Sequence, residues 1–457
     1  MGGCWEHKGE ENLKKLNALS IGGFDTGAGA GVESDIKAFE SVGVHGLGVV
    51  TAITAQNTLG IKGTLLIEPD FLKKQIETIF TDFQVSAVKT GMIVSSGQMK
   101  VISELIDRLT VVDPVIVAKD GTRLIEDLDS FKKMILPKAY VLTPNAVEAE
   151  ALAGFKVVSI EDQIRAAKSI HDLFSIPYVI VKGGHIQSDE VVDVLYNGKE
   201  TMLVRSHRLE NRNTHGTGSV FASMLAGMLA KGIKVEEALP AVKSRMEESI
   251  KFGLEIGKGI GPVEPLVSLE RDSMRFKVLR DMEMFADFVE SQDHFHVLIP
   301  EVQSNLAHSI SPEYVEGLED IATFKGRIIR EWGGRVRVGM PPSFGYPTHT
   351  ARLLLSIVLK ERKGDTLINI RYDQKLVRAF KNIGYEVLEV DREKEPKGEE
   401  GRTMSWIVEY VSQNHGKLPN VIFDTGIKGK EAMIRFWTES IDEMMHSISL
   451  VLKEVRT

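Results

Sequence analysis

Residues 215–219 read His-Gly-Thr-Gly-Ser and join a polar run, Asn211-Arg212-Asn213-Thr214, to an apolar, small-residue run with the character of a helix. Two glycines let the backbone come close to a ligand. The N–H groups left over at a helix start, with the helix dipole, favour an anion. Such a segment suits either an anion hole for a phosphoryl group in transfer or the plain cap of a buried helix. Other residues weight the first reading. Asp113, Asn145 and Glu148 are oxygen ligands of the kind a hydrated Mg2+ takes beside nucleotide phosphates. Lys182 can meet a phosphate, and the helix start at Gly216, Thr217 and Gly218 would stabilise the moving phosphoryl group. Gln56 carries an amide that both donates and accepts, which suits the edge of a heteroaromatic ring. Together these residues describe a small-molecule kinase.

The elements that would position them follow from the apolar pattern. Residues 17–21 read as a strand that runs into a glycine-rich turn at 22–31, and Ile36, Phe39 and Val42 then recur at helical spacing. The glycines do not fall in the dinucleotide-binding pattern, which argues against a dehydrogenase. Further strands are expected at 47–52, 85–90, 111–115, 140–143 and 178–181, with helices at 68–80 and 98–109. This alternation predicts an α/β fold with a doubly wound, mainly parallel sheet. Such sheets bind ligands at the carboxyl ends of their strands. Asp25, Gln56, Lys89, Asp113, Asn145 and Lys182 all follow apolar runs, so the pattern places them at one edge.

A length of 457 residues suggests two or three domains, and 43% apolar with 26% charged residues is an ordinary globular balance. The net charge of −8 argues against a nucleic-acid partner. Cys4 is the single cysteine, so no internal disulfide is expected, in keeping with the cytoplasm. Residues 1–15 lack the apolar core of a signal peptide, and the most apolar run, 43–55, is too short for a bilayer, so no membrane role is expected.

The Gly- and Pro-rich stretch 257–265 reads as a boundary, giving domains 1–265 and 266–457, the second a smaller mixed α/β unit. In that second part residues 296–301 read as a strand and turn, and 391–402 as a charged, solvated loop. Residues 321–337 are unusually basic, with Lys325, Arg327, Arg330, Arg335 and Arg337 forming either a solvated strand pair or a phosphate cradle. His349 stands where an apolar helix opens, a place where anions gather, and Asn369, Arg371 and Lys430 add anion-binding candidates.

Segments 18–31, 51–60, 89–92, 113–119, 143–150, 181–185 and 215–219 closely resemble hydroxymethylpyrimidine/phosphomethylpyrimidine kinases, a family of ribokinase-like fold that acts in thiamine synthesis. The resemblance covers roughly residues 15–265. It implies two phosphorylations by ATP with Mg2+, of hydroxymethylpyrimidine and then of its monophosphate. It places the pyrimidine near Gly23, Asp35, Gln56, Met92 and Val115; with it, ATP is expected on Asn145, Lys182 and Thr217, the metal on Asp113 and Glu148, and catalysis at Gly216, Gly218 and Ser219. Ribokinase-like kinases often form dimers, so a homodimer is expected. One departure stands out, because the family usually has Cys where this chain has Ser219. A neutral serine is a poor base. The first phosphorylation must deprotonate a hydroxymethyl group, whereas the second accepts onto a phosphate already ionised. Ser219 is therefore expected to slow the first step more than the second, or else only to cap the helix.

From about residue 270 onward, segments 298–305, 326–345, 349–352, 369–372 and 424–435 resemble a thiamine-phosphate synthase domain. That resemblance implies coupling of hydroxymethylpyrimidine diphosphate to thiazole phosphate with release of pyrophosphate. Arg327 and His349 would act on the reacting phosphates, and Asn369, Arg371 and Lys430 would bind phosphate. Two alternatives are a non-catalytic sensor of a thiamine-related ligand in the second half and a pyridoxal-type kinase in the first. The Arg/His pair argues against the sensor, and Gln56 with the fused partner argues for the pyrimidine.

Overall fold

β1 (Asn17–Asp25) is buried along almost its whole length, as an inner parallel strand must be: Ala18 faces one helical layer, and Leu19 and Ile21 face the other. Around it the chain lays down α1 (Gly31–Ser41), β2 (His45–Asn57), β3 (Gly60–Leu66), α2 (Pro69–Asp82), β4 (Val85–Thr90), α3 (Ser96–Leu105), β5 (Thr110–Val112), α4 (Leu128–Met134), β6 (Val141–Leu142), α5 (Ala146–Ala153), α6 (Ile160–Phe174), β7 (Tyr178–Val181), β8 (Glu190–Tyr196), β9 (Thr201–His207), α7 (Thr217–Ala230) and α8 (Val235–Lys251). The result, a computed structural model, describes residues 14–117, 124–394, 403–427 and 429–456. Cys4, Lys428 and the latter part of the 391–402 loop lie outside the described residues.

The nine strands run in the order β3-β2-β1-β4-β5-β6-β7-β8-β9, parallel from β2 to β7 and antiparallel at the edges. Phe39 of α1, Val220 and Leu225 of α7 and Leu239 of α8 cover one face. Leu72 and Ile76 of α2, Met99 and Ile102 of α3 and Ile170 of α6 cover the other. This is the doubly wound α/β sheet that the alternation predicts.

Two local expectations shift. The α3 helix begins earlier and ends earlier than the apolar spacing suggests, because Ser95 and Gln98 form a reciprocal cap at its start. The strand expected at 111–115 stops at Val112, before Pro114, which has no N–H for a ladder.

The chain divides into two compact units after Leu269. The glycine-rich stretch read as a linker is bound into the first unit. Ile260 N–H donates to Thr58 O (3.0 Å), Gly261 N–H to Asn213 Oδ1 (3.1 Å) and Val263 N–H to His215 O (3.1 Å). Glycines there permit close backbone approach rather than freedom of movement.

The second unit holds most of α9 (Val267–Ser291), then β10 (Leu306–Ser309), β11 (Ile321–Phe324), β12 (Ile328–Arg330), β13 (Val336–Val338), β14 (Pro342–Phe344), α10 (His349–Glu361), β15 (Thr366–Arg371), α11 (Gln374–Asn382), β16 (Val387–Glu389), α12 (Thr403–His415), β17 (Val421–Asp424), β18 (Met433–Thr438) and α13 (Ile441–Arg456). Seven strands form one sheet in the order β14-β11-β10-β15-β18-β17-β16, and β12 forms a two-stranded ladder with β13, with one bridge from Ile328 to Ser304. The strand expected at 296–301 is instead a single 3-10 turn, Phe295–Leu298, that buries Phe295 and Leu298. A short apolar run carries no period long enough to tell the two apart. Arg392, expected in a solvated loop, is buried and bonded to Asp424.

Candidate active site

In the first unit the carboxyl ends of β1, β2, β4 and β5 and the start of α7 surround a cavity of about 430 Å3. Gly23, Gln56, Met92, Val115, Asp113, Asn145, Glu148, Lys182, Gly216, Gly218 and Ser219 all line it. The strand-end residues noted in the sequence do converge.

Gly216 has φ +79°, and a Cβ there would collide with the Gly29 carbonyl, so the turn into α7 is open only to glycine. A Cβ on Gly218 would stand 3.2 Å from Lys182 Nζ and 3.7 Å from Asp113 Oδ2. The α7 start therefore abuts the Lys182–Asp113 pair, whose own contact is 2.9 Å. Helix-start N–H groups beside an ammonium make a seat for phosphate.

Glu148 lies next to that pair and is the third residue of α5, its side chain accepting the Asn145 N–H at 2.8 Å. Burial pushes its carboxyl up to about 8; the Lys182 charge works against this, and the Asp113 charge adds to it. Burial alone would lower Lys182, yet Asp113 and Glu148 raise it, so the ammonium stays charged. A carboxyl harder to ionise folded than unfolded contributes stability that is complete below its ordinary value near 4.5 and lost as pH rises through about 8. The ligand-free chain should thus lose thermal stability from pH 6 to pH 9. Glu148→Gln should flatten that slope in a calorimetric pH series, and an unchanged slope would contradict the assignment.

Two expected residues do not reach the cavity wall. Thr217 turns its hydroxyl back to the Thr214 carbonyl at 2.8 Å. Asp35, expected against the pyrimidine, is fully buried beneath the site. There its carboxylate accepts Lys89 Nζ (2.8 and 2.9 Å), Ser20 Oγ (2.5 Å), Ser219 Oγ (2.8 Å) and Ser223 Oγ (2.7 Å). Lys89 Nζ also donates to Ser219 Oγ at 2.9 Å. The serine hydroxyl is thus engaged on both sides. A second cluster went unforeseen: His215 Nε2 lies 3.0 Å from Asp25 Oδ2 and 3.0 Å from Gln56 Nε2. Burial would raise the Asp25 carboxyl, but His215 and the N–H groups of Gly27 and Ala30 outweigh it and hold it low. Both networks join residues far apart in the chain, so no local spacing signals them.

The second unit has its own cavity, of about 690 Å3, lined by Asn305, Arg327, His349, Asn369, Lys430 and Arg435 among others. Arg327 Nη1 donates to the Val302 carbonyl at 2.9 Å. Thr348 caps α10 through its side chain and sets His349 at the helix start. Burial, then the charges of Arg352, Arg327, Arg435 and Lys430, hold the His349 imidazole below its usual range and therefore neutral. Of the basic stretch, Arg327 alone among the described residues reaches the cavity. Arg330, Arg335 and Arg337 are exposed on the β12–β13 hairpin, whose Ile328 and Val338 face the core. Arg371 does not line the cavity and pairs with Asp373 at 3.3 Å.

The doubly wound sheet, with a glycine-opened helix start facing a lysine and two carboxylates, defines the first unit as a ribokinase-like small-molecule kinase. The chain belongs to the phosphomethylpyrimidine kinase family, whose model matches residues 25–264, and the model of the thiamine-phosphate synthase ThiN matches residues 281–449. It is a thiamine-biosynthesis kinase joined to a thiamine-phosphate synthase domain. It is 36% identical over 252 residues to the hydroxymethylpyrimidine/phosphomethylpyrimidine kinase of Bacillus subtilis, covering 54% of this chain and 93% of that one. The bifunctional thiamine biosynthesis protein ThiED of Geobacter sulfurreducens is 38% identical over 260 residues, 56% of this chain and 53% of that protein. The chain thus spans about half the length of that bifunctional relative, and the family of the second unit rests on the ThiN match. Among solved structures, the ADP complex of Bacillus subtilis pyridoxal kinase aligns with TM-score 0.52 and 32% identity, over 56% of this chain and all of the other. The Staphylococcus aureus pyridoxal kinase in complex with AMP-PCP and pyridoxal aligns with TM-score 0.51 and 31% identity, over 55% of this chain and 94% of the other.

Proposed function

We propose that the first unit phosphorylates hydroxymethylpyrimidine and then its monophosphate from ATP, and that the second unit couples the resulting diphosphate to thiazole phosphate. The division of labour follows the domain boundary expected near residue 265. The observation that carries the kinase half is the convergence of Gln56, Met92 and Val115 with Lys182 and the Gly216–Ser219 helix start in one cavity.

Gln56 and the apolar wall at Met92 and Val115 hold the ring. Asn145 and Lys182 take the nucleotide phosphates, and the N–H groups at the start of α7 receive the γ-phosphoryl oxygens. Asp113 and Glu148 suit a divalent cation, since two crowded carboxylates on one wall gain from a positive charge between them and the phosphates. Mg2+ bound there would neutralise phosphate charge. In the first step the hydroxymethyl oxygen loses its proton and bonds to the γ-phosphorus as the bond to ADP breaks. In the second the monophosphate oxygen attacks in the same way without a proton to lose.

With its hydroxyl held by Asp35 and Lys89, Ser219 is badly placed to take that proton. The kcat/KM for the monophosphate is therefore expected to exceed that for hydroxymethylpyrimidine. Ser219→Cys should raise the first by about tenfold or more and leave the second nearly unchanged, as loss or gain of a general base does. Steady-state assays with both substrates, and with pyridoxal as a competitor, check this. Equal efficiencies would contradict it, and preferred turnover of pyridoxal would favour the vitamin-kinase alternative that the solved neighbours raise.

In the second unit, neutral His349 accepts a hydrogen bond or a proton once a diphosphate reverses the local charge, and Arg327 stabilises the pyrophosphate as it leaves. No finding supports the sensor alternative. A homodimer in the cytoplasm completes the proposal, and light scattering of the purified chain reads its mass.

A further inference from the structure

We infer that Arg392 and Arg435, held together by Asp424, form a second anion seat in the synthase cavity that takes the phosphate monoester of the second substrate, leaving Arg327 and His349 to the diphosphate of the first. The inference rests on the synthase reading above and adds to it the seat that recognises one substrate. Asp424 closes β17 and is almost fully buried. Its Oδ2 accepts Arg435 Nη1 at 2.7 Å and Arg392 Nη1 at 3.4 Å, and its Oδ1 accepts the Gly426 N–H at 3.0 Å. One carboxylate thus aims two guanidinium groups, on residues only 7% and 6% exposed, and both side chains line the cavity. Among the described residues the lining carries Arg327, Arg392, Lys430 and Arg435 with Glu431, whose carboxylate accepts the backbone N–H groups of Glu301 and Val302. A wall so charged, partly buried, fits phosphate, which planar guanidinium forks grip in pairs.

Sheet order separates the two seats. Arg327 is held on the Val302 carbonyl, in the segment that leads into β10, whereas Arg435 lies on β18, beside Asn369 of β15 and Ile422 of β17. Two strand steps separate β10 from β18, about 10 Å at about 4.8 Å each. The coupling needs such a separation. The carbon–oxygen bond to the diphosphate breaks at the pyrimidine methylene, pyrophosphate leaves with the electron pair, and the thiazole nitrogen bonds to that carbon. The monophosphate stays on the far arm of the thiazole.

The test is steady-state synthesis by the full chain with thiazole phosphate and with its dephosphorylated alcohol. Arg392→Gln leaves Arg435 on Asp424, so no carboxylate is stranded. It is expected to raise KM for thiazole phosphate about 30-fold, the loss of a charged hydrogen bond, while KM for the pyrimidine diphosphate stays within about twofold. The alcohol should react alike with both proteins. Arg392→Lys should recover part of the loss. A KM for thiazole phosphate that does not move, or a rise confined to the diphosphate, overturns the seat. If the native chain makes no product, the synthase reading fails, and calorimetric titration of thiazole phosphate into native and Arg392→Gln chains decides the seat alone: equal affinities overturn it.

Discussion

Lys89→Met is expected to destabilise the first unit by about 3–5 kcal/mol, the cost of leaving a buried charge without its partner. Lys89 is 1% exposed, and Asp35 is fully buried. The ammonium is the one cation on that carboxylate among the described contacts, the other donors being serine hydroxyls. Three hydroxyls cannot offset a desolvated negative charge as an ammonium does. Asp35→Leu placed on top of Lys89→Met removes the stranded charge and should recover most of the loss. Kinase activity should not return in full with stability, because Lys89 itself lines the cavity at the α7 start and its ammonium is then gone. Urea denaturation of the single and double variants, with kinase rates on each, checks both halves. A Lys89→Met chain as stable as the native one would show that the network contributes little.

Arg327→Ala should lower thiamine-phosphate formation by about 100- to 1000-fold, the usual loss when one preorganised donor to a leaving anion is removed. The substitution should leave both pyrimidine phosphorylations untouched. Arg327 is exposed and bonds only the Val302 carbonyl among the described contacts, so truncation strands no buried group. The same change at Arg330 or Arg337, on the exposed hairpin, should lower the rate less than about twofold, as surface charges of that kind contribute little. Parallel assays of the three variants separate the cavity arginine from the basic hairpin. A larger loss at Arg330 than at Arg327 would move the leaving-group site onto the hairpin.

Much of this was legible because strand ends carry a readable signal. Gln56, Asp113, Asn145 and Lys182 each end an apolar run, and parallel strands bring such ends to one edge. The α7 start was legible for the same reason: glycines precede a buried helix. Depth was not. Asp35 sits one helical turn into α1, and nothing in its neighbours says that it points down onto Lys89, 54 residues on, rather than up to a ligand. The direction of the Thr217 hydroxyl was not legible either, since a hydroxyl in a glycine loop reads the same whether it faces the cavity or, as here, its own backbone. In the second unit, charge density left two readings open. Arg330, Arg335 and Arg337 could form a solvated strand pair or a cradle, and the pairing of β12 with β13 leaves all three exposed. Arg392 lies in a charged run that reads as solvated, and only the parallel pairing of β16 with β17 brings it to Asp424.

The most direct test of the whole account is one reaction. The purified chain, given hydroxymethylpyrimidine, thiazole phosphate and Mg-ATP and nothing else, should form thiamine phosphate, with the pyrimidine diphosphate appearing first. Arg327→Ala should stop the sequence at that diphosphate. Accumulation of the diphosphate by the native chain, with no thiamine phosphate, would contradict a catalytic second unit.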